Sequence, residues 1–231
     1  MNVLAFDTTA KAVTAALCKD EKLLSAYFSD LPGVHTTETL LPAINRILGD
    51  AGMTIDDIDL IAVSAGPGSF TGVRIGAATA KGLAFGRELP CAPVSSLAGL
   101  AQNLADREGY IIAAMDARRE QLYYAIFSAS EGKMTRLTDD AADSAAEAAK
   151  RAISLGITDI ICVGDGAEIA HSAMTEAGIT AKYPSAPLLR QHAYGVAVCG
   201  LRMYNEGKTV TAEELMPIYL RGFGDPPQKK D

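Results

Sequence analysis

Hydrophobic positions fall in short runs separated by polar turns, a pattern that predicts alternating strands and helices. Residues 3–6 are apolar and stop at Asp7-Thr8-Thr9, residues 13–17 form a second run, and residues 22–28 alternate. Short turns join the three, which predicts an antiparallel meander. Leu40, Leu41, Ile44, Ile47 and Leu48 recur at helical spacing, with Gly49 and Gly52 after them. They predict a helix in which Pro42 is awkward outside the first turn. Residues 60–63 are continuously apolar, as a buried strand is, and lead into Gly66-Pro67-Gly68-Ser69-Phe70-Thr71-Gly72. A helix over 73–85, a short extended segment over 90–94 and a helix through Leu104 follow.

The second half repeats the plan. Residues 111–115 form a strand ending at Asp116, 121–127 its hairpin partner and 133–137 a third strand. Residues 143–153 form an alanine-rich helix. Residues 160–163 form a strand ending in Gly164-Asp165-Gly166, with a helix after it. Val3-Leu4-Ala5-Phe6-Asp7 matches Ile112-Ala113-Ala114-Met115-Asp116, and Leu60-Ile61-Ala62-Val63 matches Ile160-Ile161-Cys162-Val163, at offsets of 109 and 100 residues. The pattern predicts an α/β protein of two related lobes, 1–104 and 105–223, with the last helix of the second able to pack back on the first. Residues 224–231, with two prolines and two lysines, read as a disordered tail.

Composition sharpens this picture. With 48% hydrophobic residues in 231 the chain has ample material for a core, yet aromatics are 6% and tryptophan is absent. Its 39 alanines predict elements that approach closely. The net charge of −7, from 28 acidic and 21 basic residues, argues against holding a polyanion unaided. Cys18, Cys91, Cys162 and Cys199 form no CxxC pair, as buried thiols in a reducing compartment would not. The first residues carry no basic segment, and no apolar run approaches the ~18 residues that span a bilayer. The expectation is a cytoplasmic protein without membrane contact.

Two segments could carry chemistry. Around Gly66, Pro67, Gly68, Ser69, Thr71 and Gly72, a strand, a glycine-rich turn and a helix start come in the order that cradles an anion. The alternative is a tight turn that lets the helix pack closely. The string is neither a Rossmann GxGxxG nor a Walker loop. Asp7 and Thr8, at the end of the first strand, could hold a metal-bound water or a phosphate, or cap a turn. Asp116-Ala117-Arg118-Arg119-Glu120 raises the same question, since its arginines could meet phosphate or sit in a solvated turn. The helix after the loop carries small residues around its whole circumference, which suits close packing on its own sheet or contact with another subunit. His35, His171 and His192 form no HExxH or HxxxH, so no metal centre is indicated.

The stretches Leu4-Ala5-Phe6-Asp7-Thr8-Thr9, His35-Thr36-Thr37-Glu38-Thr39-Leu40-Leu41-Pro42, Ser64 to Gly76 (SAGPGSFTGVRIG), Met115-Asp116-Ala117-Arg118 and Pro217-Ile218-Tyr219-Leu220-Arg221 together resemble the TsaB (YeaZ) family of tRNA threonylcarbamoyladenosine biosynthesis proteins. The resemblance runs from residue 4 to 221. It implies two duplicated RNase H-like lobes of the actin/Hsp70-like fold. It also implies a catalytic paralogue, TsaD, whose metal-binding HxxxH matches Val94-Ser95-Ser96-Leu97-Ala98-Gly99-Leu100 here. Ser96 and Leu100 stand where the histidines would be, and neither can ligate a metal in their place. The implied role is that of a non-catalytic partner of a TsaD-like enzyme and a TsaE-like ATPase in threonylcarbamoyl transfer to N6 of adenosine 37 of ANN-decoding tRNAs. The tRNA would be met only through the complex. The candidate partner face is Leu40, Leu41, Ile44 and Ile47 on one helix, with Arg74, Gly76, Ala77, Ala80, Lys81 and Ala84 on the next. The chain alone would form a homodimer through that face. No cofactor would bind tightly, with ATP or ADP and magnesium held weakly at the partner interface. Two other readings are an actin-fold phosphotransferase or ATPase acting through Asp7 and the 66–72 loop, and a peptidase.

Overall fold

The computed structural model describes residues 1–31 and 35–220. The first meander is β1 (Asn2–Asp7), β2 (Val13–Lys19) and β3 (Lys22–Ser29). Then come α1 (Thr36–Asp50), β4 (Leu60–Gly66), α2 (Phe70–Ala84), β5 (Cys91–Ser95) and α3 (Ser96–Gln102). The strands form one sheet in the order β3-β2-β1-β4-β5, antiparallel through the meander and parallel from β1 to β5.

The second half has the same plan. Its strands are β6 (Gly109–Asp116), β7 (Gln121–Ser130), β8 (Lys133–Arg136), β9 (Ala141–Ser144), β10 (Asp159–Val163) and β11 (Thr180–Lys182). Its helices are α4 (Ala145–Ser154), α5 (Ala167–Glu176) and α6 (Ala193–Asn205). The second sheet runs β11-β10-β6-β7-β8, with β9 also paired to β7. This is the duplicated RNase H-like arrangement of the actin/Hsp70-like fold. Among the described residues no helix is long and apolar enough to cross a membrane.

Local differences from the sequence expectation have physical causes. Helix α2 starts at Phe70 rather than Val73, because the Ser69 hydroxyl accepts from the Gly72 amide and caps a helix that begins inside the glycine string. Pro42 sits in the second turn of α1, not the first. The helix survives there because Leu40, Ala43, Ile44, Ile47 and Leu48 pack into the core on its other side. Residues 143 and 144, expected at the head of a helix, instead end β9, which pairs with β7, and the helix starts at Ala145. The short β11 carries no alternation legible in three residues. The tail 224–231 lies outside the described residues.

The layers show an exchange. Helices α1 and α2 cover one face of the first sheet, and α4 and α5 cover one face of the second. The helices between the sheets are traded. α6, from the second half, packs on the first sheet against Val3, Ala5, Leu60 and Ala62. α3, from the first half, packs on the second sheet through Leu97, Leu100 and Ala101 against Ile111, Ala113 and Phe127. They cross where only glycine fits. A Cβ on Gly195 would lie 2.1 Å from the Gly99 carbonyl oxygen, and one on Gly99 would lie 2.9 Å from Val196 Cγ2. The Asn103 amide ties the crossing by donating to the Gly99 and His192 carbonyls and accepting from the Gly195 amide. After α6 the chain returns to the first lobe. Val210 pairs with Cys91, and Leu215 is buried beside α1 and α2.

Gly195→Ala is expected to lower the unfolding free energy by about 2–3 kcal/mol in urea denaturation, since backbone faces the new methyl. Gly82→Ala, in a helix with nothing within 4 Å of the added Cβ, is expected to raise it by about 0.5–1 kcal/mol. Equal effects of the two would show that the crossing is not tight.

Candidate functional site

A cleft of ≈ 520 Å³ opens between the lobes at the carboxyl ends of β1 and β6. Thr9, Ala10 and Lys11 line it from the β1–β2 turn, and Pro67 to Thr71 from the glycine string. Met115, Asp116, Ala117 and Arg118 line it from the β6–β7 turn, with Tyr123, Asp165 and the returning chain at Ile218, Tyr219 and Leu220.

Asp7 is not in the cleft wall. It is buried, and both its oxygens accept hydrogen bonds from this chain. Oδ1 accepts from the Thr9 amide and hydroxyl, each at 2.7 Å, and Oδ2 accepts from the Ser64 hydroxyl at 2.6 Å. Burial pushes this carboxyl above its ordinary value, and the Ser64 and Thr9 hydrogen bonds pull it back down. Thr8 is buried too, and its hydroxyl donates to the Gly72 carbonyl at 2.7 Å. The pair therefore acts as a turn cap and a strand-to-helix tie rather than a metal-water or phosphate holder.

The glycine string is packed against the chain's own backbone. Gly66, at φ 121°, would put a Cβ 2.2 Å from the Ile218 carbonyl oxygen, while the Ile218 amide donates to the Ala65 carbonyl. Gly68, at φ 153°, would put one 2.4 Å from the Thr9 carbonyl oxygen. The amides of Ser69, Gly72 and Val73 are taken up by Thr9, the Ser69 hydroxyl and the Ser69 carbonyl. Close packing thus accounts for the glycines. The two hydroxyl residues of the string, Ser69 and Thr71, are exposed at the cleft.

The carboxylates in the cleft come from the second copy of the motif. Asp116, the counterpart of Asp7, is exposed and accepts from the Arg118 amide as Asp7 does from Thr9. Asp165 accepts from the Asp116 amide. Burial raises its carboxyl, that hydrogen bond lowers it, the Asp116 charge raises it and Arg190 opposes. Arg118, Arg119 and Glu120 hold left-handed φ of 68°, 55° and 60°, a costly run for non-glycine residues at a cleft lip. Sequence reasoning placed Asp116 and Arg118 among open alternatives and missed Lys11, Tyr123 and Asp165. The repeat itself was the available signal for Asp165, because Gly164-Asp165-Gly166 matches the end of β4.

The candidate partner face divides in two. Leu40, Ile44 and Ile47 of α1 and Gly76, Ala77, Ala80 and Ala84 of α2 are buried in this chain's own core, so the assignment of these residues to a partner is corrected. Their helical spacing marks the inner face. Leu41 and Arg74 are exposed, and Lys81 is half-buried with its ammonium donating to the Glu213 carbonyl. Ala78 and Gly82 continue the outer row of α2, and Phe85, the cap residue just beyond its end, is 73% exposed. Ser96 and Leu100 are buried in the α3 core against the second sheet.

Asp7→Asn keeps a carbonyl acceptor for Thr9 and is expected to fold, whereas Asp7→Ala strands three donors and is expected to cost about 2–4 kcal/mol. Because the folded Asp7 carboxyl sits above 3.8, its stabilising contribution is complete below about pH 4 and is lost as pH rises through the folded value. The Tm of Asp7→Asn relative to wild type is therefore expected to rise between pH 4 and 7 in calorimetric scans. A falling difference would show that the ionised carboxylate is the favoured form.

Comparison with known proteins adds the family. The family model described as TsaD, tRNA N6-adenosine threonylcarbamoyltransferase, matches residues 33–209. The protein named tRNA threonylcarbamoyladenosine biosynthesis protein TsaB of Escherichia coli (strain K12) is 34% identical over 223 residues, 96% of this chain and 95% of that one. The protein of the same name in Haemophilus influenzae is 31% identical over 230 residues, covering 96% and 94%. Among solved structures, YeaZ from Pseudomonas aeruginosa superposes with a TM-score of 0.76 at 28% identity, covering 95% of this chain and 99% of that one. With the duplicated lobes, these matches place the chain in the TsaB (YeaZ) group of the tRNA N6-adenosine threonylcarbamoyltransferase family.

Proposed function

We propose that this chain acts in the synthesis of threonylcarbamoyladenosine in tRNA as the non-catalytic partner of a TsaD-like chain. The names of its relatives support the pathway. The observation that carries the non-catalytic role is Asp7, whose carboxylate is consumed by Thr9 and Ser64 inside the fold. The residues required by a phosphotransferase reading do not fit a magnesium nucleotide. The carboxylate faces inward and the glycine string presses against Thr9 and Ile218. In our reading nucleotide is held weakly and at the partner interface, a TsaE-like ATPase is the third component, and tRNA is gripped by the partner, in keeping with the charge of −7.

The partner face is the outer surface of α1 and α2, with Leu41, Arg74, Ala78 and Gly82, together with Phe85 at the end of α2. In the absence of the partner the same face pairs two copies of the chain. Apolar groups as exposed as Leu41 on α1 and Phe85 at the end of α2 support an interface there.

Bulk tRNA from cells depleted of this protein is expected to lose threonylcarbamoyladenosine by nucleoside mass spectrometry. Wild type and Asp7→Asn are both expected to restore it. Restoration by wild type alone, with Asp7→Asn folded and still paired, would return the carboxylate to a chemical role. Ala78→Arg with Gly82→Arg is expected to abolish co-elution with the TsaD-like chain in size-exclusion chromatography while leaving Tm within a few degrees. Intact co-elution would move the interface elsewhere.

A further inference from the structure

One arginine on the outer row of α2 is held in place by two aromatic side chains, and both of those belong to the cleft. The Arg74 guanidinium lies 3.8 Å from the centroid of the Phe70 ring, one turn earlier in the helix. Its Nε donates to the Tyr219 hydroxyl at 3.0 Å. Tyr219 in turn packs on Phe70, ring centroids 5.1 Å apart. Tyr219 is itself positioned by its neighbour Ile218, whose amide is bonded to the Ala65 carbonyl. Phe70 and Tyr219 both line the cleft.

An exposed arginine ordinarily samples many rotamers. Here the stem and Nε are fixed, and no described side chain pairs with the two terminal amino groups. What remains is a planar guanidinium whose terminal amino groups are free to donate, the chemistry that suits a carboxylate. Helix α2 contains no Asp or Glu, and Arg74 and Lys81 are its only charges, in a chain of net charge −7. Its outer face is therefore locally basic.

We infer that Arg74 is a preorganised anchor that takes a carboxylate of the partner protein in a bidentate pair, with Phe70 and Tyr219 as its positioning residues. This rests on the reading of the α1–α2 surface as the face for a TsaD-like chain. Tyr219 touches both the cleft and Arg74, so the returning chain contributes one of the two contacts that order the anchor.

Calorimetric titration of the TsaD-like chain into wild type, Arg74→Lys, Arg74→Gln and Tyr219→Phe tests it. Arg74→Lys retains the charge but not the fork and is expected to weaken Kd at least 10-fold, close to the loss with Arg74→Gln. Tyr219→Phe retains the ring but not the acceptor and is expected to weaken Kd about 3-fold with Tm unchanged. The salt dependence of Kd is expected to flatten in Arg74→Gln and to persist in Tyr219→Phe. Wild-type affinity in Arg74→Lys overturns the fork, and wild-type affinity in Arg74→Gln overturns the anchor altogether. Failure of wild type to bind the TsaD-like chain overturns the functional reading itself and this inference with it.

Discussion

The structure depends on the crossing of α3 and α6 between the two sheets. Each helix belongs to one half of the sequence and packs on the sheet of the other. The lobes are therefore joined by two exchanged core elements rather than by a linker. Gly99 and Gly195 bring the backbones together, and Asn103 satisfies the carbonyls and amide that the close approach leaves over. Separating the lobes would strip α6 from Val3, Ala5 and Ala62 and expose apolar surface on both sides. Polar ties add to the junction. Ser95 and Arg136 meet at Asp140, Arg190 pairs with Asp30, and the His192 ring stacks on Phe28 at 4.8 Å.

That frame explains the shape of the cleft and the fate of its two aspartates. The duplication puts an Asp at the end of β1 and of β6, each accepting the amide two residues on. In the first lobe Ser64 supplies another donor from β4, and the glycine string and α2 close over the turn. In the second lobe the place of Ser64 is taken by Gly164 at the end of β10, and the Asp116 carboxylate stays exposed. One copy has become part of the core while the other faces solvent. The chain returning from α6 completes the contrast by laying Ile218 along Gly66 and Tyr219 beside Phe70.

Much of the architecture was legible in the sequence. Apolar runs of four or more residues stopping at Asp7, Ser64, Asp116 and Gly164 marked the parallel core strands, because strands buried on both faces leave little room for polar positions. The repeat gave the two lobes. The residues of the cleft were less legible. Asp7 and Asp116 follow nearly identical apolar runs, and nothing local separates a buried cap from an exposed carboxylate. The partner face was misread for a related reason. Spacing identifies the apolar side of α1 and α2, but that side is the one their own sheet covers.

The sequence by itself determined the order of elements, the duplication and the glycine positions, since these follow from hydrophobic period and backbone sterics within a few residues. It also carried the family, through strings such as Ser64 to Gly76 in which many residues are constrained at once. Only the tertiary structure decided which helix covers which sheet, which aspartate reaches solvent, and that Arg74 is held by residues four and 145 positions away. Those outcomes depend on contacts between segments distant in the chain, where burial and hydrogen-bond supply are set by whatever the fold brings alongside.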